Sequence, residues 1–444
     1  MAYHSILNKN EMLKILKPYS IFTINKFLFL FFISFCSISI SQNNNIAIEG
    51  MIVDEYNYGV PYAAIGILSK NLGTSSNDEG AFYFLVTDKE LNDVLEISSI
   101  GFKTFEISIK DFISLEHKKI VLEENVTELS DVLLKSNEDY VRLSLKNLKE
   151  NTINKTHQLK VLYRRWSVED NICRYYIEHF INVNDRGPYS NISDFNIIQT
   201  RNSADYRFVK NEQEIHALKY MEYNNPIRKS VSVKSYKWKK LGASNYDDED
   251  VIILEGKGLD VRGNERTLKL FIGFDSYSIY KLEMSKTPLK GKSMDAIYVY
   301  KKNSEGKLYL SYHNREYKSA AKATDIIKNL LIRNGEEPRE YIPIAYRHEV
   351  FVVGVEEDKK SFDSSGITGQ MDMTLFKIPY NSNFWKNISL PPETKFYKKN
   401  ISELESLYGV PIETQFQYSN WFDYQQFKNI TISAKYTVFL ITFL

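Results

Sequence analysis

Zinc chemistry is the first to test against this sequence. His313-Asn314-Arg315-Glu316 has the H-x-x-E spacing of a metal-binding pair, and His348 comes later as a third ligand for a hydrolytic site. Such a site needs a separate carboxylate as base for the bound water. The pair lies on a strand-like run, and no glutamate stands in a context that would supply that base. The sequence has no H-E-x-x-H, no G-x-S-x-G elbow and no P-loop. Cys36 falls in an N-terminal apolar segment, leaving Cys173 alone, so an internal disulfide framework and a four-cysteine zinc site are excluded. Cys173, between Ile172 and Arg174, reads as a strand residue rather than a nucleophile. Asp78 and Glu79 are adjacent carboxylates, too few for a calcium ion that takes roughly six to eight oxygens. No catalytic, cofactor-binding or metal-binding residue is therefore assigned.

Binding chemistry has one local candidate. Arg228, Lys229, Lys234, Lys237, Lys239 and Lys240, interleaved with Tyr236 and Trp238, make a basic-aromatic stripe of the kind that holds glycans or phosphates. Asp247 to Asp250 comes directly after and can neutralise it, so the stripe reads as a solvated hairpin. Across the 444 residues, 57 Lys+Arg meet 56 Asp+Glu, a formal charge of +1, which leaves no broad basic field for nucleic acid. Aromatic residues reach 14%, with 31 Tyr, a supply suited to strands that are half buried and half wet.

The N-terminus reads as an export signal over residues 1–41. Lys14, Lys17 and Lys26 precede the apolar run Phe27–Ile40, which is short for a spanning helix. Ser39 and Ser41 place small residues before a cut at Gln42, and Met12 is an alternative start. Phe35 before Cys36 does not fit a lipidation site. The expected destination is a bacterial envelope: the periplasm, the outer membrane or the cell surface.

The next segment, 42–125, is a string of short strands with turn signals every 8–12 residues or so, as in a small β-sandwich. Strands are expected around Ile46–Val53, Val60–Ile67, Ala81–Val86, Val94–Ile100, Phe102–Ile109 and Ile120–Leu122, with a polar loop over Asn71–Gly80. Gly80 permits a positive-φ turn, and Asp78 is expected to hydrogen-bond that turn's backbone. Gly101 allows a bend before Phe102 enters the core. Gly50-Met51-Ile52-Val53-Asp54, then Gly59 and Pro61, then Gly73-Thr74 with Asn77-Asp78-Glu79-Gly80-Ala81-Phe82, then Ser98-Ser99-Ile100-Gly101-Phe102, form one ordered pattern. That pattern resembles the carboxypeptidase-like regulatory domain. The resemblance implies a seven-stranded, transthyretin-like sandwich of the type found at the front of exported bacterial proteins.

A linker over 126–157 carries a helix, opened by Ser136 with Asp139 three residues on and marked by Val141, Leu145 and Leu148. Its apolar stripe is expected to dock on the second domain. That domain, 158–417, alternates again, as in Tyr280, Leu282 and Met284, and reads as an antiparallel meander, open or partly closed like a half-barrel. Leu162–Arg165 and Phe274–Tyr277 resemble the body behind the regulatory-like domain in exported bacterial proteins. Phe384-Trp385, Pro391-Pro392 and Leu407–Phe416 resemble their C-terminal signature. The tail, 418–444, is atypical. The fold class is thus mainly β. The functional expectation is a non-enzymatic envelope protein that binds a partner protein or surface glycan. A carrier of an apolar ligand in the half-barrel and a cryptic zinc peptidase are the alternatives. Membrane association and oligomeric state stay open.

Overall fold

The structure, a computed structural model, describes residues 45–125, 135–188, 194–210, 215–222, 235–260, 262–287, 291–363, 366–407 and 409–418, with Ser190, Ile192, Asn225, Ile227 and Arg228. The export signal, part of the linker, Lys229, Lys234 and the tail after Tyr418 lie outside the described residues. Among the described residues no helix is long and apolar enough to cross a membrane.

Seven strands build the first part: β1 (Ile46–Val53), β2 (Ala64–Ile67), β3 (Leu72–Ser75), β4 (Ala81–Val86), β5 (Val94–Ser98), β6 (Phe105–Ser108) and β7 (Lys119–Val121), with helix α1 (Ile109–Ser114) before the last. One sheet runs β4-β1-β7 and the other β3-β2-β5-β6. Alternation places Phe82, Phe84 and Val86 of β4 inward, all buried, against Ile65, Ile97, Phe112 and Ile120. Two local expectations change. The polar stretch Asn71–Gly80 carries β3, which pairs with β2 from Leu72 to Ser75. Ile109 opens α1 instead of closing a strand, because Ser108 caps the helix by accepting the Asp111 N–H.

Helix α2 (Asn137–Lys146) starts at Ser136, whose hydroxyl accepts the Asp139 N–H, and a short α3 (Leu148–Asn151) comes after a break at Asn147. Tyr140, Val141 and Leu148 are buried against the second sheet, with Tyr140 packed on Phe274 and Tyr277.

That sheet contains β8 (His157–Glu169), β9 (Ile172–Asp185), β10 (Asp194–Asn202), β11 (Lys237–Tyr246), β12 (Glu249–Leu259), β13 (Glu265–Gly273), β14 (Ile279–Thr287), β15 (Ser293–Lys302), β16 (Leu308–Lys322) and, after helix α4 (Asp325–Arg333), β17 (Tyr341–Glu356). Strands β11 to β17 form a continuous antiparallel meander, and β8 then pairs β17 on its far side, with β9 and β10 beyond it. The result is the half-barrel-like sheet the alternation predicts. Its inner face is filled by aromatic and aliphatic side chains from β8 to β17 together with Leu218, Met221 and Met373. The outer face of β8, β9 and β17 is covered by α5 (Ser382–Lys386), α6 (Lys395–Ser406) and α7 (Ile412–Tyr418).

The sandwich and the large sheet share hydrogen-bonded backbone. Beyond the point where β16 leaves β17, Leu72 of β3 pairs with Gly354, and the Val355 N–H donates to the Asn71 carbonyl at 3.3 Å. The Gly101 N–H also donates to the Asn245 carbonyl at 2.8 Å. Gly80, at φ +86°, sits in a tight turn of the sandwich: a Cβ there would be 2.4 Å from the Ile52 carbonyl oxygen. Gly80→Ala is expected to lower stability by about 1–3 kcal/mol through strain at that φ. A urea midpoint equal to that of the parent would contradict this.

Candidate functional site

Three consecutive turn side chains join the sandwich to the rest of the protein. Asn77 holds the turn itself: its Oδ1 accepts the N–H groups of Glu79 and Ala81 at 2.9 and 3.0 Å. Its Nδ2 donates to the Pro392 carbonyl at 3.1 Å. Asp78, expected to serve the turn backbone, instead accepts from Arg347 at 3.3 Å. Glu79 accepts the Lys395 N–H at 2.8 Å, placing a carboxylate at the N-terminus of α6, where free N–H groups favour negative charge.

From Asp78 a chain of alternating charges runs under the C-terminal helices. Arg347 donates to Glu349 at 2.5 Å, Arg164 Nε donates to the other Glu349 oxygen at 3.1 Å, and Arg164 lies 3.9 Å from Glu178, which also accepts from Arg201. Arg164, Glu178 and Glu349 are 3%, 1% and 6% exposed, so their charges are out of water and must satisfy one another. Burial works against the charge on Arg164, Arg201 and Arg347. The carboxylates Glu349 and Glu178 outweigh it and hold all three guanidinium groups above their ordinary range. Aromatic faces close the network. Arg347 lies 4.6 Å from the Phe396 ring, Arg201 4.5 Å from Trp385 and 4.7 Å from Phe416, and Arg164 5.1 Å from Phe351. The sequence segments Leu162–Arg165, Phe384-Trp385 and Leu407–Phe416 thus meet here.

Beside this joint, on the outer face of the sheet, a trough of about 480 Å³ lies between Tyr62 and strands β12 to β17. Tyr62 stacks on Tyr312 with ring centroids 4.4 Å apart, and burial pushes its phenol up to about 12. Glu283, Ser285, Asp295, Asn314 and Glu316 project into the trough. Asp295 and Glu316 are directly opposite each other on β15 and β16, a like-charge pairing that works against the sheet. Burial, with Glu316 adding to it, pushes the Asp295 carboxyl up. On the sandwich, the β1–β2 turn exposes Tyr56 and Tyr58 at 71% and 73%.

The candidate zinc pair divides between faces. Residues three apart on a strand point to opposite sides, so His313 enters the inner core while Glu316 lines the trough. His313 does meet His348, with their Nε2 atoms 2.9 Å apart, and His313 Nδ1 lies 2.9 Å from the Ile297 carbonyl. Among the described residues no group of three His, Cys, Asp or Glu is placed to hold a metal ion. Burial holds His313 and His179 down to about 3 and holds His216 and His348 well below the ordinary histidine range. Neither ring nitrogen of His179 has a hydrogen-bond partner among the described residues. Cys173 is buried on β9, its N–H donates to Glu403 at 2.7 Å, and burial pushes its thiol up.

The remaining motif residues have local roles. Asp54 accepts the N–H groups of Tyr56 and Tyr58. Gly50 and Gly59 lie where a Cβ would be 2.5 Å from the Lys118 oxygen and 2.0 Å from the Glu79 oxygen. Pro61 sits in the turn before β2, Thr74 and Phe82 are buried, Gly101 has φ +93°, and Phe102 packs on the sandwich core. Gly73 faces Lys301 across the seam. The basic stripe breaks up: Arg228 is half-buried and paired with Asp185, Trp238 is buried, Lys240 is half-buried, and among the described lysines of the stripe Lys237 and Lys239 stay exposed. Sequence reading did not single out Arg347, Glu349, Glu178 or Arg201. Their only signal is charge at alternate positions of otherwise apolar strands.

The family model of the CarboxypepD_reg-like domain matches residues 48–134, so the motif pattern is that of this domain. No curated protein matches the chain. Among solved structures, a LolA superfamily protein from Nitrosomonas europaea is 13% identical, covers 50% of this chain and 97% of its own, and has a TM-score of 0.24. A DUF1329 family protein from Desulfovibrio piger is 12% identical, covers 52% and 96%, and has a TM-score of 0.25.

Glu349→Ala would leave the buried Arg164 and the half-buried Arg347 with one carboxylate fewer between them. A loss of about 3–5 kcal/mol is expected by chemical denaturation, whereas Arg142→Ala, which breaks an exposed pair with Asp139, should leave the midpoint in place. Equal effects would contradict the network's role. The histidines set a pH dependence. Their folded pKa values lie below the unfolded value of about 6.5, so the unfolded chain takes up protons that the native state refuses. Stability should therefore fall as pH drops from 7 to 5, by about 1.4 kcal/mol per pH unit for each proton. His179→Phe should flatten that slope, and an unchanged slope would count against it.

Proposed function

We propose that this protein is a non-catalytic binding module of a bacterial cell envelope, exported and displayed there, whose trough beside Tyr62 receives a hydroxyl-rich surface polymer. One observation carries the reading. The Asn77–Glu79 turn and the Arg347–Glu349–Arg164 chain fix the sandwich to the sheet, so Tyr62 of the sandwich is held at a fixed spacing from the strands that form the rest of the trough. Its lining is rich in polar groups, with four carboxylates against Lys269 and Arg347; the carboxylates, Ser285 and Asn314 are able to bond sugar hydroxyls, and Tyr62 lies at its edge. A fully apolar ligand would strand those groups without partners. The histidines, Cys173 and the paired carboxylates do not combine into a nucleophile, base and oxyanion site.

Asp295→Lys together with Glu316→Lys places two opposite charges in the trough at exposed or half-exposed positions where folding tolerates them. In binding titrations against purified envelope polysaccharide, this variant should bind at least tenfold more weakly than the parent at equal thermal stability. Identical affinity, or no polysaccharide binding by the parent, would contradict the proposal.

A further inference from the structure

A second cavity, of about 230 Å³, lies in the seam where β2 and β3 face the ends of β15 and β16. Its floor includes Lys301, which is 8% exposed. No carboxylate lies within ion-pair distance of this lysine among the described residues, and it donates no hydrogen bond there; its nearest aromatic is the Tyr309 ring, 5.4 Å from Nζ. Gly73, a glycine of the domain pattern, leaves room for the amine: a Cβ at that position would stand 2.5 Å from Lys301 Nζ. The cavity opens to solvent at the exposed turn residues Ser304 and Gly306.

We infer that Lys301 is a cavity-borne amine nucleophile that captures small aldehydes as an imine. The lining decides between an anion and a neutral carbonyl. Glu96 and Asp247 both face the cavity, and Lys302 is committed to Asp247 at 2.5 Å, so an anionic ligand would be repelled while an uncharged carbonyl is admitted. The facing groups able to titrate are Glu96 on β5, Tyr246 and Asp247 at the β11–β12 turn, Lys302 on β15 and Tyr309 on β16. Burial holds the Lys301 ammonium down to about 8, with Glu96 the opposing charge that favours protonation, so a substantial neutral fraction exists near pH 8. Burial, then Asp247 and Glu106, push the Glu96 carboxyl up, against the pull of Lys301 and Lys302.

The step balances without a further reactant. Nζ adds to the carbonyl carbon and forms a carbinolamine. Glu96 gives a proton to the departing hydroxyl, water leaves, and the nitrogen returns a proton to Glu96; aldehyde plus amine become imine plus water. The full-length protein is treated with propionaldehyde, reduced with borohydride and mapped by peptide mass spectrometry from pH 6 to 10. Lys301 should be alkylated at least tenfold faster than exposed Lys292 at pH 8, with a midpoint near 8. Glu96→Gln should slow it while a non-reacting acylation control at surface lysines stays constant. Lys301→Met, shown by its melting curve to be folded, should remove the fast phase and no other. Labelling of Lys301 at or below the Lys292 rate, or a fast phase that survives Lys301→Met, overturns the assignment.

Discussion

A charge removed from water must be matched inside the protein or the fold loses several kcal/mol to it. The chain Asp78–Arg347–Glu349–Arg164–Glu178–Arg201 meets that demand with residues from the sandwich, β17, β8, β9 and β10, and with aromatic roofs from the C-terminal helices. Glu349 is shared by Arg347 and Arg164, Glu178 by Arg164 and Arg201, and Asp78 accepts from Arg347. Removing Glu349 leaves Arg164 and Arg347 each with one carboxylate fewer. This adds to the apolar packing across the seam, where Tyr62 meets Tyr312 and Ile100 packs on the inner sheet core, while the main sandwich and sheet cores are separate clusters.

The same constraint shapes the surfaces that can bind. The Asn77–Glu79 turn is anchored at three points, and the trough at Tyr62 and the cavity over Lys301 both lie along the seam that it helps to fix. Residues that would otherwise be a hairpin tip thus become structural partners of a helix and a strand hundreds of residues away. The inner face of the half-barrel, by contrast, is taken up by the protein's own tyrosines, histidines and aliphatic side chains.

Much of the architecture was legible because it rests on local rules. Alternation located β4 and β14, Ser136 announced α2, Gly80 marked a positive-φ turn and Gly101 a bend, which it makes at positive φ. The site was less legible, for physical reasons. Arg164 and Glu349 are separated by 185 positions, and no periodicity joins them. Asp78 looked like the turn's hydrogen-bonding residue, yet Asn77, one position earlier, takes that role and frees Asp78 for Arg347. His313 and Glu316 matched a helical ligand spacing, which on a strand sends them to opposite faces. Gly354 against Leu72 is a single cross-domain pair that only the assembled sheets reveal.

Native-state hydrogen exchange at increasing denaturant measures the central claim most directly, by comparing amides of β2 and β4 with those of β8 and β17. If the charge chain makes one cooperative body, both sets open with the same free energy and the same denaturant dependence. Sandwich amides that open as a separate unit, several kcal/mol below the large sheet, would contradict it.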